Sequence, residues 1–371
     1  MDFSLGEELE ALRDLAREIV TDHATPERLR QAETSDSRVD AKLWDELARA
    51  GLLAAVLPEE HGGAGLGPAA LCVLLEEQGR GVAPVPVWPS LVGALALAAH
   101  GTKEQRDTLL PSLADGTARL TAALEEFGAE GTLAPRTTAT PEESGWRLTG
   151  TKAAVPSPTG AGHVLVTAAT EAGPGLFLVA ADGAGVGWEH AETTSHDRAA
   201  HLTLTEAPAT PVGAPGTGVP EWTVQLASVA LSALQLGVAE GALAYAVSHL
   251  SERRQFGRPL GTFQAVRHQL ADCAIDLDAM RVTLWQAVTA LEDGEGVARA
   301  ALVAKWWADE GGLDLVHRVQ HVHGGIGVDT DYPVHRHFLW GRQTATTLGG
   351  AEAGLAALGD ALAAGAREAV A

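Results

Sequence analysis

Cysteine is nearly absent. The 371-residue chain has two, Cys72 and Cys273, far apart and neither in a Cys-x-x-Cys pair. A disulfide framework and a thiolate zinc site are therefore not indicated. Lysine is almost as scarce, limited to Lys42, Lys103, Lys152 and Lys305. Lysine plus arginine number 26 against 48 acidic residues, a formal net charge of −22. A surface of that sign repels nucleic-acid phosphates and anionic lipid, which argues against both as partners. It still allows a local basic pocket for an anionic small molecule. The N-terminus, Met1-Asp-Phe-Ser-Leu-Gly-Glu-Glu8, is acidic and has no hydrophobic signal core. Long apolar runs are missing too. Gly81 to Thr102 is broken by Pro84, Pro86 and Pro89, and Thr223 to Ala239 is interrupted by Gln225, Ser228, Ser232 and Gln235. A membrane span needs about 20 mostly apolar residues, so both segments predict buried pieces of a cytoplasmic protein.

What is present is enough apolar side chain for a large core, 46% of all residues, at a length that suggests two or three domains. Helical spacing of apolar residues marks Phe3–Thr21, Leu43–Leu53 and Pro68–Gln78, with the glycine-rich turn Glu59–Gly67 between the last two and Pro111–Leu120 closing the region. From about residue 120 the texture changes to short, often alternating segments: Leu120–Leu124, Trp146–Leu148, His163–Thr167, Gly175–Ala180 and His201–Thr205. Gly, Pro, Ser and Asp separate them, as in an antiparallel sheet or small barrel. Pro208, Pro211, Pro215 and Pro220 predict a linker. Helix then returns over Trp222–Arg254, Gly261–Leu291, Val297–Val322 and Gly350–Val370. Gly237 and Gly241, four apart, would let two helix backbones approach closely. The expected class is α+β: an N-terminal helical domain over 1–119, a middle antiparallel β domain over 120–219 and a C-terminal four-helix bundle over 220–371.

Two constellations carry chemistry. Ser251-Glu-Arg-Arg-Gln-Phe-Gly-Arg-Pro-Leu260 ends one helix and leads to Gln264, clustering Arg253, Arg254 and Arg258 at a helix junction. Forked guanidiniums there suit phosphate. The plainer alternative is arginine complementing a helix C-terminus. The second is Gln320-His-Val-His-Gly-Gly-Ile-Gly327 and its continuation to His337. Its glycines follow a helix rather than a strand, unlike a dinucleotide-binding loop. Five histidines fall between 317 and 337, but no acid or cysteine accompanies them at ligand spacing, so packing histidines are expected rather than a metal.

Together, Gly51–Leu66, Arg253-Arg-Gln-Phe-Gly257 and His323-Gly-Gly-Ile-Gly327 resemble the acyl-CoA dehydrogenase family, over nearly the whole chain and in the family's helix–strand–helix order. His321–Leu339 and Thr347-Leu-Gly-Gly-Ala-Glu352 resemble one branch more closely: the non-catalytic subunits of actinobacterial heteromeric enzymes that shorten steroid side chains. The resemblance implies FAD, an acyl-CoA substrate, α,β-desaturation and an electron-transfer acceptor.

That reaction needs a desolvated carboxylate at the α proton and donors at the thioester oxygen. The family takes the carboxylate from one of two places. Counted onto this chain they fall at Ala227, followed by Ser228 where arginine is usual, and at Leu348. Neither is an acid. Glu240 lies about 20 Å further along the long Trp222–Arg254 helix than Ala227, Glu352 lies one turn past Leu348, and both are expected to be surface carboxylates. The flavin-ring motif is eroded as well, to Leu124-Glu-Glu-Phe-Gly-Ala-Glu130 and Lys152-Ala-Ala-Val-Pro156.

Residues that by resemblance reach a neighbouring subunit's FAD persist: Arg253, Phe256, Gln264, Gly324 and Gly325, with His321 where glutamine is usual. The expectation is an α2β2 flavoenzyme in which a homologous partner supplies the catalytic glutamate and this chain supplies none. The alternatives are a self-sufficient homotetramer using Glu352, a flavin-free structural or regulatory paralogue, and a flavin monooxygenase.

Overall fold

The computed structural model describes residues 5–128, 131–143 and 145–368. Six helices come first: α1 (Glu7–His23), α2 (Pro26–Thr34), α3 (Ala41–Arg49), α4 (Gly67–Arg80), α5 (Val87–His100) and α6 (Lys103–Ala114). Phe3, the expected start of the first helix, lies outside the described residues. Local signals set several boundaries. The Asp40 carboxylate accepts from the Leu43 N–H at the start of α3, and Thr102 and Gln105 form a reciprocal capping box at α6. Most of the uncharged stretch from Gly81 becomes α5, with Pro89 in its first turn, where no intrahelical N–H is required.

The middle region holds β1 (Leu120–Ala123), β2 (Thr138–Glu142), β3 (Gly145–Pro156), β4 (His163–Thr170), β5 (Gly173–Ala180), β6 (Val186–Glu192) and β7 (Arg198–Val212). Strands β4, β2, β3, β7 and β5 pair in a closed ring, with β1 on β4 and β6 on β7. Two expectations need correction. The domain is not wholly antiparallel, because β1 and β2 both run parallel to β4. Nor do the prolines open a linker at 208: Pro208 and Pro211 lie inside β7 and Pro220 inside the next helix. The ladder between β3 and β7 shifts register just before Pro208, next to Glu206 in the left-handed region, and β7 then pairs with β5. An irregular stretch tolerates a missing N–H better than a regular ladder does.

After β7 come α7 (Val219–Glu252), the two-residue strands β8 (Arg254–Gln255) and β9 (Arg258–Pro259), α8 (Gln264–Asp293), α9 (Val297–His323), α10 (Val334–Thr346) and α11 (Gly350–Glu368). The four long helices expected here are present, and α10 is an additional shorter one. The expected end at Val370 lies outside the described residues. Helix α7 is long and apolar enough to cross a membrane, but 83% of its most apolar window is buried inside the protein.

The close approach anticipated from the α7 glycines is against α4. A Cβ on Gly237 would stand 1.9 Å from the Glu76 carbonyl oxygen, and one on Gly241 2.4 Å from that of Arg80. The contact is reciprocal, since a Cβ on Gly79 would meet the Leu234 carbonyl at 2.2 Å. Backbone cannot yield as a flexible side chain can. Gly237→Ala is therefore expected to cost about 2 kcal/mol or more and lower the melting temperature by several degrees. Gly359→Ala, where a Cβ meets nothing within 4 Å, should leave it unchanged or raise it. Thermal unfolding of the two variants checks this.

Candidate functional site

A cavity of about 260 Å³ opens where the three parts of the fold meet. The segment just after β1 contributes Leu124 and Glu125, β3 contributes Ala153 and Ala154, α7 contributes Leu231 and Leu234, and the α10–α11 connection contributes Thr347 and Leu348. Trp88 and Trp340 form apolar wall, and Ser157 and Asp197 bring polar groups. Three of these residues, Ala154 (φ 48°), Ser157 (φ 41°) and Leu348 (φ 62°), hold left-handed backbone without being glycine. Such conformations cost energy and persist only where the surroundings impose them.

The cavity is acidic. Glu125 and Asp197 line it, and among the described residues no lysine, arginine or histidine does. Burial raises the Glu125 pKa, against the opposing pull of the Leu348 N–H, the Lys305 ammonium and the Gly349 N–H. Asp197 is pushed up to about 6 by burial, although the Arg198 N–H (2.8 Å) and the Ser157 hydroxyl (3.2 Å) donate to it. Behind Glu125, Lys305 is buried on α9 and bonded to both oxygens of Asp309 at 2.5 and 2.6 Å. Burial lowers the Lys305 pKa and raises that of Asp309 to about 6.

Neither expected base position is rescued. Ala227 is fully buried one turn before Leu231, and Leu348 lines the cavity with an apolar side chain. Glu240, expected as a surface carboxylate, is instead mostly buried between α7, α4 and α8, where Arg80 and Arg281 bind it. Glu352 is exposed in the first turn of α11 and does not line the cavity. In the eroded motif, Glu126 accepts from the fully buried Lys152 at 2.5 Å and from the backbone N–H groups of Arg136 and Thr137, while Lys152 also donates to Thr167. Both ions are thus engaged inside the barrel. Ala129 and Glu130 of that motif lie outside the described residues.

The other predicted residues gather elsewhere. Arg254–Gln255 and Arg258–Pro259 form a tight hairpin whose two turn residues, Phe256 (φ 52°) and Gly257 (φ 77°), are both left-handed. Phe256 is 90% exposed. Arg258 stacks on Phe263, with its guanidinium carbon 4.1 Å from the ring centre. Among the described residues, Arg253, Arg254 and Arg258 have no carboxylate partner. Gln264 is the exposed first residue of α8. His321, Gly324 and Gly325 are exposed where α9 ends in a 3-10 turn. His249 near the end of α7 stacks on His323 at the end of α9, with centroids 4.8 Å apart, so both groups leave the same end of the bundle. Gly324 (φ 61°, ψ −140°) needs glycine for its backbone. Gly325 does not, and a Cβ on either would meet nothing in this chain.

Gln320, beside His321, is turned inward against Gly327 and does not replace it on the surface. Among the histidines, His323 bonds to Val319, His335 to Tyr332 and His337 to the Arg80 carbonyl, and burial depresses His337 to about 4. Among the described residues no group of three or more His, Cys, Asp or Glu comes together. Glu125, Asp197 and the Lys305–Asp309 pair were not singled out as site residues in the sequence. Glu125 stood inside a quoted motif, but Lys305 and Asp309 carry only an i, i+4 spacing that any exposed helical pair shares.

Known proteins resemble this chain over nearly its whole length. Residues 6–117 match the acyl-CoA dehydrogenase N-terminal domain and residues 215–362 the corresponding C-terminal domain. Acyl-CoA dehydrogenase FadE27 of Mycobacterium tuberculosis is 38% identical, over 98% of this chain and 99% of its own. Among solved structures, a Tcur3481–Tcur3483 steroid ACAD variant is 64% identical with a TM-score of 0.96, over 98% of this chain and 100% of the other. The ChsE4–ChsE5 complex of Mycobacterium tuberculosis gives 38% and 0.93, over 98% and 99%.

An aspartate whose native pKa lies above its unfolded value near 4 costs stability at neutral pH, and the cost fades as pH falls through 6. For Asp197 the cost is on the order of 3 kcal/mol. Between pH 7 and pH 4.5, wild type is therefore expected to gain stability relative to Asp197→Asn. Denaturant unfolding of both proteins at each pH measures that difference.

Proposed function

The chain belongs to the acyl-CoA dehydrogenase family, and from that premise we propose that it is the non-catalytic subunit of a cytoplasmic α2β2 enzyme. The partner is a homologous subunit that owns the catalytic glutamate, and the reaction is α,β-desaturation of a CoA thioester carrying a steroid side chain. The observation that carries this reading is the split between the two sites. The exposed end of the bundle keeps uncommitted arginines and open glycines, while the chain's own cavity has alanine and leucine where the base belongs. That two structural relatives are a steroid ACAD and a two-component complex supports both the substrate class and the heteromer.

FAD supplies the hydride acceptor for such a desaturation. The exposed end fits its diphosphate portion: Arg253 brings a bare guanidinium, Gln264 a side-chain amide, Phe256 an apolar face, and Gly324 and Gly325 an approach without Cβ atoms. His321 offers a ring nitrogen at the same rim. The cavity sets the carboxylates of Glu125 and Asp197 beside the hydroxyls of Ser157, Ser195 and Thr347, and it has no acid at Ala227 or Leu348 to serve as the base. In this reading the chain gives its contacts to flavin held by the partner, its emptied cavity leaves room for a bulky acyl group, and the complex works with a separate electron-acceptor protein. The proposed division of labour follows 1–119, 120–219 and 220–371.

Flavin content and native mass test this on the lone chain and on the co-expressed pair. A colourless lone chain and a yellow α2β2 complex with one FAD per unlike pair are expected. A yellow homotetramer with one FAD per chain would overturn the reading. Within the complex, Arg253→Ala should weaken FAD retention about tenfold, the loss of one charge-assisted contact, as measured by flavin release on dilution.

A further inference from the structure

We propose that the chain's own cavity is a binding site in its own right, for a neutral, rigid polycyclic molecule with a hydroxyl group: a free steroid alcohol rather than a CoA thioester. The steroid skeleton rests on the two-subunit reading above, whereas the site itself rests on where the backbone is strained. Beside the cavity lies a side pocket of about 10 Å³, and the two share Pro84, Ser195, Asp197 and Trp340 as lining. Among the described residues, eight that are not glycine hold left-handed backbone. Ala154, Ser157 and Leu348 line the cavity, and Arg38 (φ 58°), Val82 (φ 44°) and His196 (φ 61°) line the side pocket. The other two, Glu206 and Phe256, belong to the irregular β3–β7 ladder and to the exposed hairpin. Such backbone persists only where the surroundings over-determine it, and it collects at ligand clamps and active sites. Here six instances, from five separate segments of the chain, border one continuous space.

The lining selects the ligand. Trp88, Trp340, Leu231 and Leu234 give broad apolar walls, suited to a flat, stiff ring system that has little freedom to lose on binding. At about 260 Å³ the cavity lies near the small end of ligand pockets, enough for fused rings without a CoA tail. Two polar atoms of the lining are buried and unmet. Gln78 is 3% exposed and donates to the carbonyls of Ala83 and Val85 at 3.0 and 2.7 Å, but its Oε1 has no partner among the described residues. In the side pocket the Arg38 Nε is likewise buried without an acceptor among the described residues, although another guanidinium nitrogen reaches Glu192 at 3.2 Å. A hydroxyl both donates and accepts, so it suits an orphan acceptor and an orphan donor alike. The Asp197 carboxylate, common to both spaces, adds a charged acceptor. The sign of the lining disfavours an anion. Glu125 and Asp197 line the cavity with no cation among the described residues, and Arg38 is answered by Glu192. A diphosphate, sulfate or carboxylate placed there would be buried against like charge.

Equilibrium dialysis of testosterone, a neutral tetracyclic alcohol, against the complex of this chain with its homologous partner tests the site. It is run at pH 8, above the Asp197 pKa of about 6. Wild type is expected to bind one more testosterone per copy of this chain than Ser195→Trp, which fills the cavity. Asp197→Asn should weaken that site about tenfold, the loss of one charge-assisted contact. Testosterone sulfate should bind it at least tenfold more weakly than the alcohol. Equal binding by wild type and Ser195→Trp at the same native mass overturns the inference, as does a sulfate that binds as tightly as the alcohol. The two-subunit reading, which flavin content judges, stands in either case. Two FAD per unlike pair in wild type overturns that reading itself. Amide hydrogen exchange covers the case in which Ser195→Trp does not assemble. In wild type, saturating testosterone should slow exchange several-fold over residues 193–198 and 346–350, and unchanged exchange there overturns the site.

Discussion

Gly79, Gly237 and Gly241 bring the backbones of α4 and α7 so close that no side chain fits between them at three points, and the rest of the molecule is arranged around that contact. Because α7 is held against α4 in this register, Leu231 and Leu234 face the cavity, Glu240 meets Arg80 across the seam, and the helix ends where its hairpin and the Gly324 turn share one rim. Dispersion between closely packed backbones is weak per atom but large in sum. It also leaves almost no freedom to slide, since a shift would drive a Cβ into a carbonyl.

Buried charge is the second recurring constraint, and it explains how an acidic chain with four lysines uses them. Two of the four, Lys152 and Lys305, are buried in ion pairs, one inside the barrel and one behind the cavity. Burying an ion pair is compensated only when its geometry and further hydrogen bonds are good. The pair in the barrel has them in Thr167 and in the N–H groups of Arg136 and Thr137. The bundle rim shows the opposite economy. Among the described residues its arginines are exposed and have no carboxylate partner, in a protein of net charge −22.

The architecture was largely legible in advance. Helical spacing located the long helices to within a few residues, because a 3.6-residue apolar period over many turns has few other readings. The strands were harder. β2 (Thr138–Glu142) and β6 (Val186–Glu192) are mostly exposed or half-buried and carry little apolar alternation, and both were missed. β7 ran through Pro208 and Pro211 because its irregular ladder did not need their N–H groups. Short helix α10 was hidden by its polar and histidine-rich sequence, whose inward contacts come from α7, α9 and the α4 carbonyl of Arg80.

For the site, the sequence by itself determined what was absent: alanine at 227 and leucine at 348 cannot take a proton, whatever surrounds them. It also determined which arginines and glycines were grouped, since they are neighbours in the chain. Only the tertiary structure decided the fate of the acids. Glu240 was drawn into an ion-pair seam, Glu352 was left in solvent, and Glu125 was brought to a cavity it shares with Leu348, more than two hundred residues away in sequence. A carboxylate's chemistry depends on its desolvation and on the donors that reach it, and both are properties of the assembled fold rather than of the residue.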